Sequence, residues 1–414
     1  MADDSPPDPP TASHDPYTAL RFRDFRFLLT GSFISSFGGQ MLSFAISWEL
    51  WLRTHSTFAL GLVGLVQVIP VILFSLPAGH VADQFNRRRI LYCTQSVMVA
   101  CALALGLLSY LEGPLWLIYA CLLVIGIARA FNGPASSTLL PQTVPESAYT
   151  SAVTWSSSTW QFASIAGPAA AGLLVAALDQ VTLLYFLDAL AVLTFLVLLG
   201  FMKGRQVALP RKTATLASLK EGVRFIRNTK VLLAAITLDM FAVLSGGAVA
   251  LLPVYATDIL QVGASGLGVM RTAPSVGALL MAFALAHLPP MRQAGKALLW
   301  AVAGFGAATI VFGVSESFVL SVVMLALLGA MDSISVVIRS TLMLTKVPDE
   351  MRGRASAVNG IFISTSNELG GFESGAVAAL WGPVFAVVSG GIGTIVVVVL
   401  VARLWPEMRQ LKTL

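Results

Sequence analysis

The chain has 414 residues, of which 56% are hydrophobic and only 11% are charged, and its net charge is +5. A soluble domain normally carries about 25% charged residues, so this composition excludes an ordinary soluble domain. The surplus of apolar side chains exceeds what one soluble core buries and is predicted to face lipid.

The N-terminal stretch, MADDSPPDPPTASHDP, is rich in proline and in acidic side chains. It lacks the basic start, the apolar stretch and the small-residue cleavage site of a signal peptide. We therefore predict that residues 1–20 form a disordered tail on the cytoplasmic side of a membrane.

Twelve predominantly apolar runs follow, each long enough to cross the roughly 30 Å hydrocarbon core of a bilayer as a helix. Backbone groups in lipid must be satisfied within the segment, which favours helices. The predicted fold class is therefore an all-α membrane protein with twelve transmembrane helices in two six-helix halves. The predicted spans are 27–52, 59–82, 90–111, 115–140, 149–178, 181–202, 231–256, 263–288, 296–314, 318–344, 355–380 and 383–403.

Basic residues cluster in the loops that would share one side of the membrane. Arg87, Arg88 and Arg89 lie between spans two and three, and the long loop 203–230 holds a larger group. The opposite loops hold Arg53 and several acidic residues. Because Lys and Arg accumulate in cytoplasmic loops, both termini are predicted to be cytoplasmic. The expected location is the bacterial cytoplasmic (inner) membrane.

The loop 203–230 separates six spans from six spans. Its apolar residues recur at three- and four-residue steps, which predicts a helix lying at the inner membrane interface. A solvated linker helix is the alternative. The apolar positions are Leu216, Leu219, Val223 and Ile226. The predicted segments are a tail at 1–20, a first half at 21–202, a linker at 203–230, a second half at 231–403 and a tail at 404–414.

An internal repeat supports this division. The segment STLLPQTVPES at 137–147 resembles STLMLTKVPDE at 340–350, and each follows the fourth span of its half. Two six-helix halves related by a pseudo-twofold axis, with a site between them, are typical of many secondary transporters.

The segment GHVADQFNRRR resembles the signature loop between helices two and three of the major facilitator superfamily. The matching positions are Gly79, Asp83, Arg87 and Arg88. Gln84 replaces a usual basic residue, and Asn86 replaces a usual glycine because asparagine tolerates a left-handed backbone. The resemblance implies that Asp83 latches the two halves at the cytoplasmic side, against the start of helix eleven near Arg354. A plain solvated turn is the alternative.

Span five contains ASIAGPAAAG, which resembles an antiporter pattern of the same superfamily. The matching positions are Gly167, Pro168 and Gly172. The resemblance implies export, and ordinary close packing of helices is the alternative. The stretch 340–375 resembles the subgroup that includes bacterial enterobactin exporters and related multidrug efflux proteins.

Charged residues inside the spans cost about 2.5–3.5 kcal/mol each on insertion scales and mark candidate functional sites. The acids are Asp188, Asp239, Asp332, Glu368 and Glu373, and the bases are Arg129, Arg271 and Arg339. Since acids outnumber bases, some carboxylates lack a partner, and an unpaired buried carboxylate binds a proton. Proton-coupled transport requires such a group. We rank Asp239 first as the proton carrier, then Asp332 and Glu368, with Glu373 last.

Arg129 and Arg271 are predicted to be cavity charges. In the superfamily, helices one, four, seven and ten line a central cavity, which implies that Arg129 and Asp332 face it. These two residues also occupy matched positions of the internal repeat. We therefore predict an ion pair between them across the cavity. The charges expected elsewhere are Arg339 near the membrane interface, Glu49 at the outer interface and Asp188 in a polar packing contact.

The favoured function is proton-coupled export of a hydrophobic or amphipathic small molecule, drug-like or siderophore-like, by a monomer in the lipid bilayer. Proton-coupled metabolite uptake is the alternative, and a polytopic membrane sensor or enzyme is an alternative of another class. The four histidines and three cysteines show no metal-ligand spacing, and no ATP-binding domain is found. We therefore expect no catalytic residues, no metal, no cofactor and no nucleic-acid partner.

Overall fold

The computed structural model describes residues 15–203, 216–289 and 291–411. Within these ranges the regular structure is helical and contains no strand, which confirms the predicted all-α membrane fold. Residues 1–14 of the predicted N-terminal tail, 204–215 of the linker and 412–414 of the C-terminal tail lie outside the described residues.

The helices are α1 (Arg23–Thr54), α2 (Thr57–Gln84), α3 (Arg87–Tyr110), α4 (Leu115–Leu139), α5 (Tyr149–Leu178), α6 (Thr182–Phe201), α7 (Leu216–Asn228), α8 (Lys230–Ser245), α9 (Leu252–Val254), α10 (Gly263–His287), α11 (Ala294–Gly313), α12 (Phe318–Lys346), α13 (Asp349–Trp381), α14 (Pro383–Leu404) and α15 (Pro406–Gln410).

Eleven of the twelve predicted spans each coincide with one helix of the bundle, and the seventh coincides with a series of helical segments. In the described part of the chain, ten helices are long and apolar enough to cross a membrane. Helices α1 and α13 complete the set; they contain 32 and 33 residues, but polar side chains such as Gln40 and Asn367 interrupt their apolar sequence. Gln40 and Asn367 both line a central cavity, so this polarity faces the interior of the bundle.

The seventh span is broken, whereas the sequence predicted one continuous helix. Helix α8 ends at Ser245, and a 3₁₀ turn (Gly247–Leu251), the single turn α9 and a π turn (Tyr255–Ile259) complete the crossing. Gly247 marks the break because a Cβ atom there would lie 2.5 Å from Ser374 Oγ of α13. The irregular segment thus lets two backbones approach closely.

The helices pack as two sets with two lines of contact between them. In the first set, α1 contacts α5 and α6, and α4 contacts α2 and α3. In the second set, α12 contacts α10 and α11, while α14 contacts α8 and α11. The extensive contacts between the sets are α2 with α13 and α5 with α10. This arrangement leaves space between the sets along the central axis.

We use "terminal end" for the end of the bundle where α1 begins and α14 finishes, and "distal end" for the opposite end. At the distal end one apolar core joins both sets, with Phe44, Trp51, Leu252 and Leu267 among its members. At the terminal end the buried apolar residues form separate clusters in each set. The two sets are therefore closed against each other at the distal end.

The predicted linker helix is present as α7 and packs on α13 and α8. Ile226 is buried, Val223 is exposed, and Glu221 pairs with Arg354 at the start of α13. Gly222 lies directly against the backbone of Arg354. Helix α7 is thus attached to the second set of helices.

Candidate transport site

A central cavity of about 710 Å³ lies between the two sets of helices. Most of its wall is apolar, from residues such as Leu42, Ile125, Trp160 and Phe305. The charged residues on its wall are Arg129, Asp239, Arg271, Asp332, Arg339 and Glu368. The structure therefore brings together six of the eight intramembrane charges identified in the sequence.

Asp239 of α8 and Arg339 of α12 form a buried ion pair through Asp239 Oδ2 and Arg339 Nη1. Their side chains are only 7% and 8% exposed. Arg339 was expected near the membrane interface, and that expectation was wrong. Helix α12 continues to Lys346, two turns beyond Arg339, so the guanidinium lies inside the bundle.

Asp332 lies two turns before Arg339 on the same face of α12, on the cavity wall. It is within electrostatic reach of both Arg339 and Asp239. Ser335 lies between Asp332 and Arg339 along α12, and its buried hydroxyl has no hydrogen-bond partner in the described residues. We call Asp239 and Asp332 the carboxylate pair. These two acids share one arginine, Arg339.

Arg129 does not pair with Asp332 in this structure. It donates from Nη1 to Oε1 of Gln67 on α2 at 2.7 Å, and among the described residues no ion pair involves it. The predicted cross-cavity pair is absent because Gln67 satisfies Arg129 from a neighbouring helix, while Asp332 faces Arg339. Repeat-matched positions lie on opposite walls of the cavity rather than in contact.

Arg271 of α10 reaches across to α1. It donates to Ser47 Oγ at 2.7 Å and to Ser43 Oγ at 3.3 Å, and its guanidinium lies 6.0 Å from the centroid of the Phe44 ring. The sequence indicated the charge of Arg271 but gave no signal for these serine partners, which lie more than 200 positions away along the chain.

The two remaining proton-site candidates occupy different positions. Glu368 lies on the cavity wall where α13 crosses α2, and the backbone of Gly64 fits against it. Glu373 is exposed, does not line the cavity, and accepts a hydrogen bond from Ser374 at 3.4 Å.

Two other acids differ in surroundings. Glu49 was expected at the outer interface, but it is 5% exposed and accepts hydrogen bonds from Tyr185 at 2.7 Å and Arg53 at 3.1 Å. Glu49 lies five residues before the distal end of α1, and α6 covers it there, so it is buried rather than exposed among the aromatic residues. Asp188 is buried against Gly38 of α1, and its Oδ1 atom has no hydrogen-bond partner among the described residues.

The signature loop at the terminal end ties helices of the first set together. Arg88 donates to the carbonyl oxygens of Met202 and Gly200 at 2.6 and 2.7 Å, which stabilises the C-terminal end of α6. Asn86 does not adopt the expected left-handed backbone; it is extended, and its side chain caps α3 by accepting from two backbone N–H groups. Gly79 lies within α2 and Arg87 begins α3. The side chain of Asp83 lies outside the described residues, so the latch stays a prediction.

The antiporter-like motif of α5 lies at close helix contacts. A Cβ atom at Gly172 would meet Gly268 Cα of α10 at 2.8 Å, and one at Gly167 would meet Gln40 Cβ of α1 at 2.6 Å. Pro168 lines the cavity between them, and its carbonyl oxygen lies against Gly268. The small residues therefore allow α5 to contact both sets of helices.

Comparisons with known proteins agree with this fold. Residues 14–413 match the family model described as transmembrane secretion effector. Sequence relatives include the enterobactin exporter EntS of Shigella boydii serotype 18, which is 25% identical over 394 residues, covering 94% of this chain and 93% of the relative. EntS of Escherichia coli O1:K1 gives the same identity and coverage.

Solved structures of transporters share the fold. The peptide-transporter relative PepTSo superposes with a TM-score of 0.73 at 12% identity, covering 94% of this chain and 98% of that chain. The nucleoside transporter NupG superposes with a TM-score of 0.71 at 11% identity, covering 93% and 99%. At these identities the likeness shows the fold alone.

Proposed function

We propose that this chain, which belongs to the transmembrane secretion effector family of the major facilitator superfamily, is a proton-driven exporter of an amphipathic small molecule. Family and relatives identify a multi-pass membrane transporter rather than an enzyme. The direction of transport, the coupling ion and the substrate class are what we propose.

The carboxylate pair is the observation that carries the proposal. Arg339 balances one of Asp239 and Asp332, and the second acid lies on the mostly apolar wall of the cavity. A carboxylate without a counter-charge in such a place is stable when protonated. We propose that Asp332 carries the proton while Asp239 is paired with Arg339. When Asp332 loses the proton, Arg339 leaves Asp239 and pairs with Asp332. This revises the ranking from sequence, in which Asp239 came first.

The closed distal end matches the loading step of an exporter, and the relatives named as exporters favour that direction. We propose that both termini are cytoplasmic, as the basic loops predict. In that orientation the cavity opens toward the cytoplasm, where an exporter loads its substrate. The apolar wall and the few fixed charges suit a bulky amphipathic molecule. The relatives named enterobactin exporter favour a siderophore-like or drug-like compound for this chain as well.

The test uses the purified full-length chain in liposomes with an imposed pH gradient. Asp332→Asn is expected to abolish the dependence of export on the gradient while substrate binding stays measurable. Asp239→Asn is expected to slow export, because Arg339 then holds Asp332 permanently. The matched control is Asp179→Asn, an exposed acid in the distal α5–α6 turn. If export by Asp332→Asn keeps its full dependence on the gradient, the proposed carrier is wrong.

A further inference from the structure

Arg271 is a cavity cation whose partners are all uncharged. Its hydrogen bonds go to the hydroxyls of Ser43 and Ser47, and in the described part of the chain no carboxylate forms an ion pair with it. Its Nε atom is buried and lacks a hydrogen-bond partner among the same residues. A buried guanidinium normally has a carboxylate or phosphate partner, because an uncompensated buried charge is costly.

The other two cavity arginines have acids close to them. Arg339 is bonded to Asp239. Arg129 is bonded to the uncharged Gln67, but Glu368 and Asp188 lie within electrostatic reach of it. Arg271 is therefore the cavity arginine that no described acid balances.

The surroundings of Arg271 are suited to an oxyanion. Further polar side chains of α10, of its bonded neighbour α1 and of α5, which packs on both, also line the cavity. They are Gln40, Ser43, Ser47, Ser164 and Ser275. Hydroxyl and amide groups can donate hydrogen bonds to an anion, and a guanidinium matches the geometry of a carboxylate. We call this set, with Arg271, the arginine–serine corner.

We infer that the arginine–serine corner binds an acidic group of the substrate, so that the transported class is an amphipathic organic anion. The inference rests on the proposed function, because it takes the cavity as the substrate site. The apolar body of the molecule would lie against Leu42, Ile46 and Phe305, which line the same cavity. The acidic group would point toward the closed distal end, where α10 meets α1.

The test compares an aromatic acid with its neutral isostere, 2-naphthoate with 2-naphthamide. Binding of each to the purified full-length protein is measured by isothermal titration calorimetry. The wild type is expected to bind the acid about tenfold more tightly or better, as a charge-assisted hydrogen bond allows. Arg271→Gln is expected to remove this preference, and Arg271→Lys is expected to retain part of it.

The amide distinguishes recognition from a structural role. If Arg271 only holds α10 to α1, Arg271→Gln weakens acid and amide binding equally, and the inference is overturned. Equal binding of both compounds by the wild type, or binding of neither, overturns it too. If Arg271→Gln does not fold, Arg271→Lys carries the test, and loss of all acid preference in a folded Lys variant counts against the inference. Acid-selective binding without gradient-driven export would leave this inference standing and refute the proposed proton coupling.

Discussion

Gly172→Ala is expected to shift the transporter toward a distal-open conformation. In the structure, a Cβ atom at this position would lie 2.6 Å from Ala264 O and 2.8 Å from Gly268 Cα. Both are backbone atoms of the α10 region, so no side-chain rotation can relieve the clash. Overpacking of this kind costs typically about 1–3 kcal/mol. Since the contact lies at the closed distal end, the cost falls on the distal-closed state, and a change of this size alters the ratio of two states by roughly 5- to 150-fold.

The assay is a distance measurement across the distal end by double electron–electron resonance. Spin labels are attached at Gln180 and Glu316, which are exposed and lie in distal turns of the first and second sets. The native Cys93, Cys101 and Cys121 are first replaced. We expect the longer-distance population to increase in Gly172→Ala.

The matched control is Gly360→Ala in α13, where a Cβ atom meets nothing within 4 Å. Both substitutions gain the same helix propensity, about 1 kcal/mol, so a difference between them reports the clash. An unchanged distance distribution in a folded Gly172→Ala protein would show that the α5–α10 contact does not set the closed state.

Three further substitutions test the buried polar contacts. Arg339→Met is expected to lower the free energy of unfolding by about 3–5 kcal/mol, because it leaves buried acids without a counter-charge. Adding Asp239→Asn is expected to restore part of this stability, as measured by thermal unfolding. Tyr185→Phe removes the hydrogen bond to buried Glu49 and is expected to cost about 1–3 kcal/mol by the same measurement; no change would mean that Glu49 finds another donor. Asn86→Ala is expected to lower the free energy of unfolding by about 0.5–2 kcal/mol, because it removes the cap of α3, whereas Asn86→Asp is expected to keep it. Equal stability of both variants would contradict the capping role.

The sequence predicted the membrane helices well because length and apolarity are local properties. The pattern of apolar residues predicted the ends of Thr182–Phe201 and Pro383–Leu404 almost to the residue. It missed the break after Ser245, since the close approach of Gly247 to α13 is a tertiary contact. A window of apolar residues contains no signal for such an approach.

The sequence also identified the charged residues of the site but not their partners. The cost of a charge in a membrane is local, so Asp332 and Arg271 were recognisable as candidates. Their neighbours depend on how helices rotate and cross. Arg129 therefore meets Gln67 instead of Asp332, and Arg271 meets Ser47. Pairing by repeat symmetry failed because symmetry relates the two walls without bringing them together.

The attachment of α7 to α13 gives the covalent linker a limited mechanical role. With Gly222 and Glu221 both at Arg354, α7 travels with the second set of helices. The covalent connection between the two sets then reduces to residues 204–215, a length of chain that can span at most about 40 Å. The two sets are accordingly positioned against each other mainly by their direct α2–α13 and α5–α10 contacts.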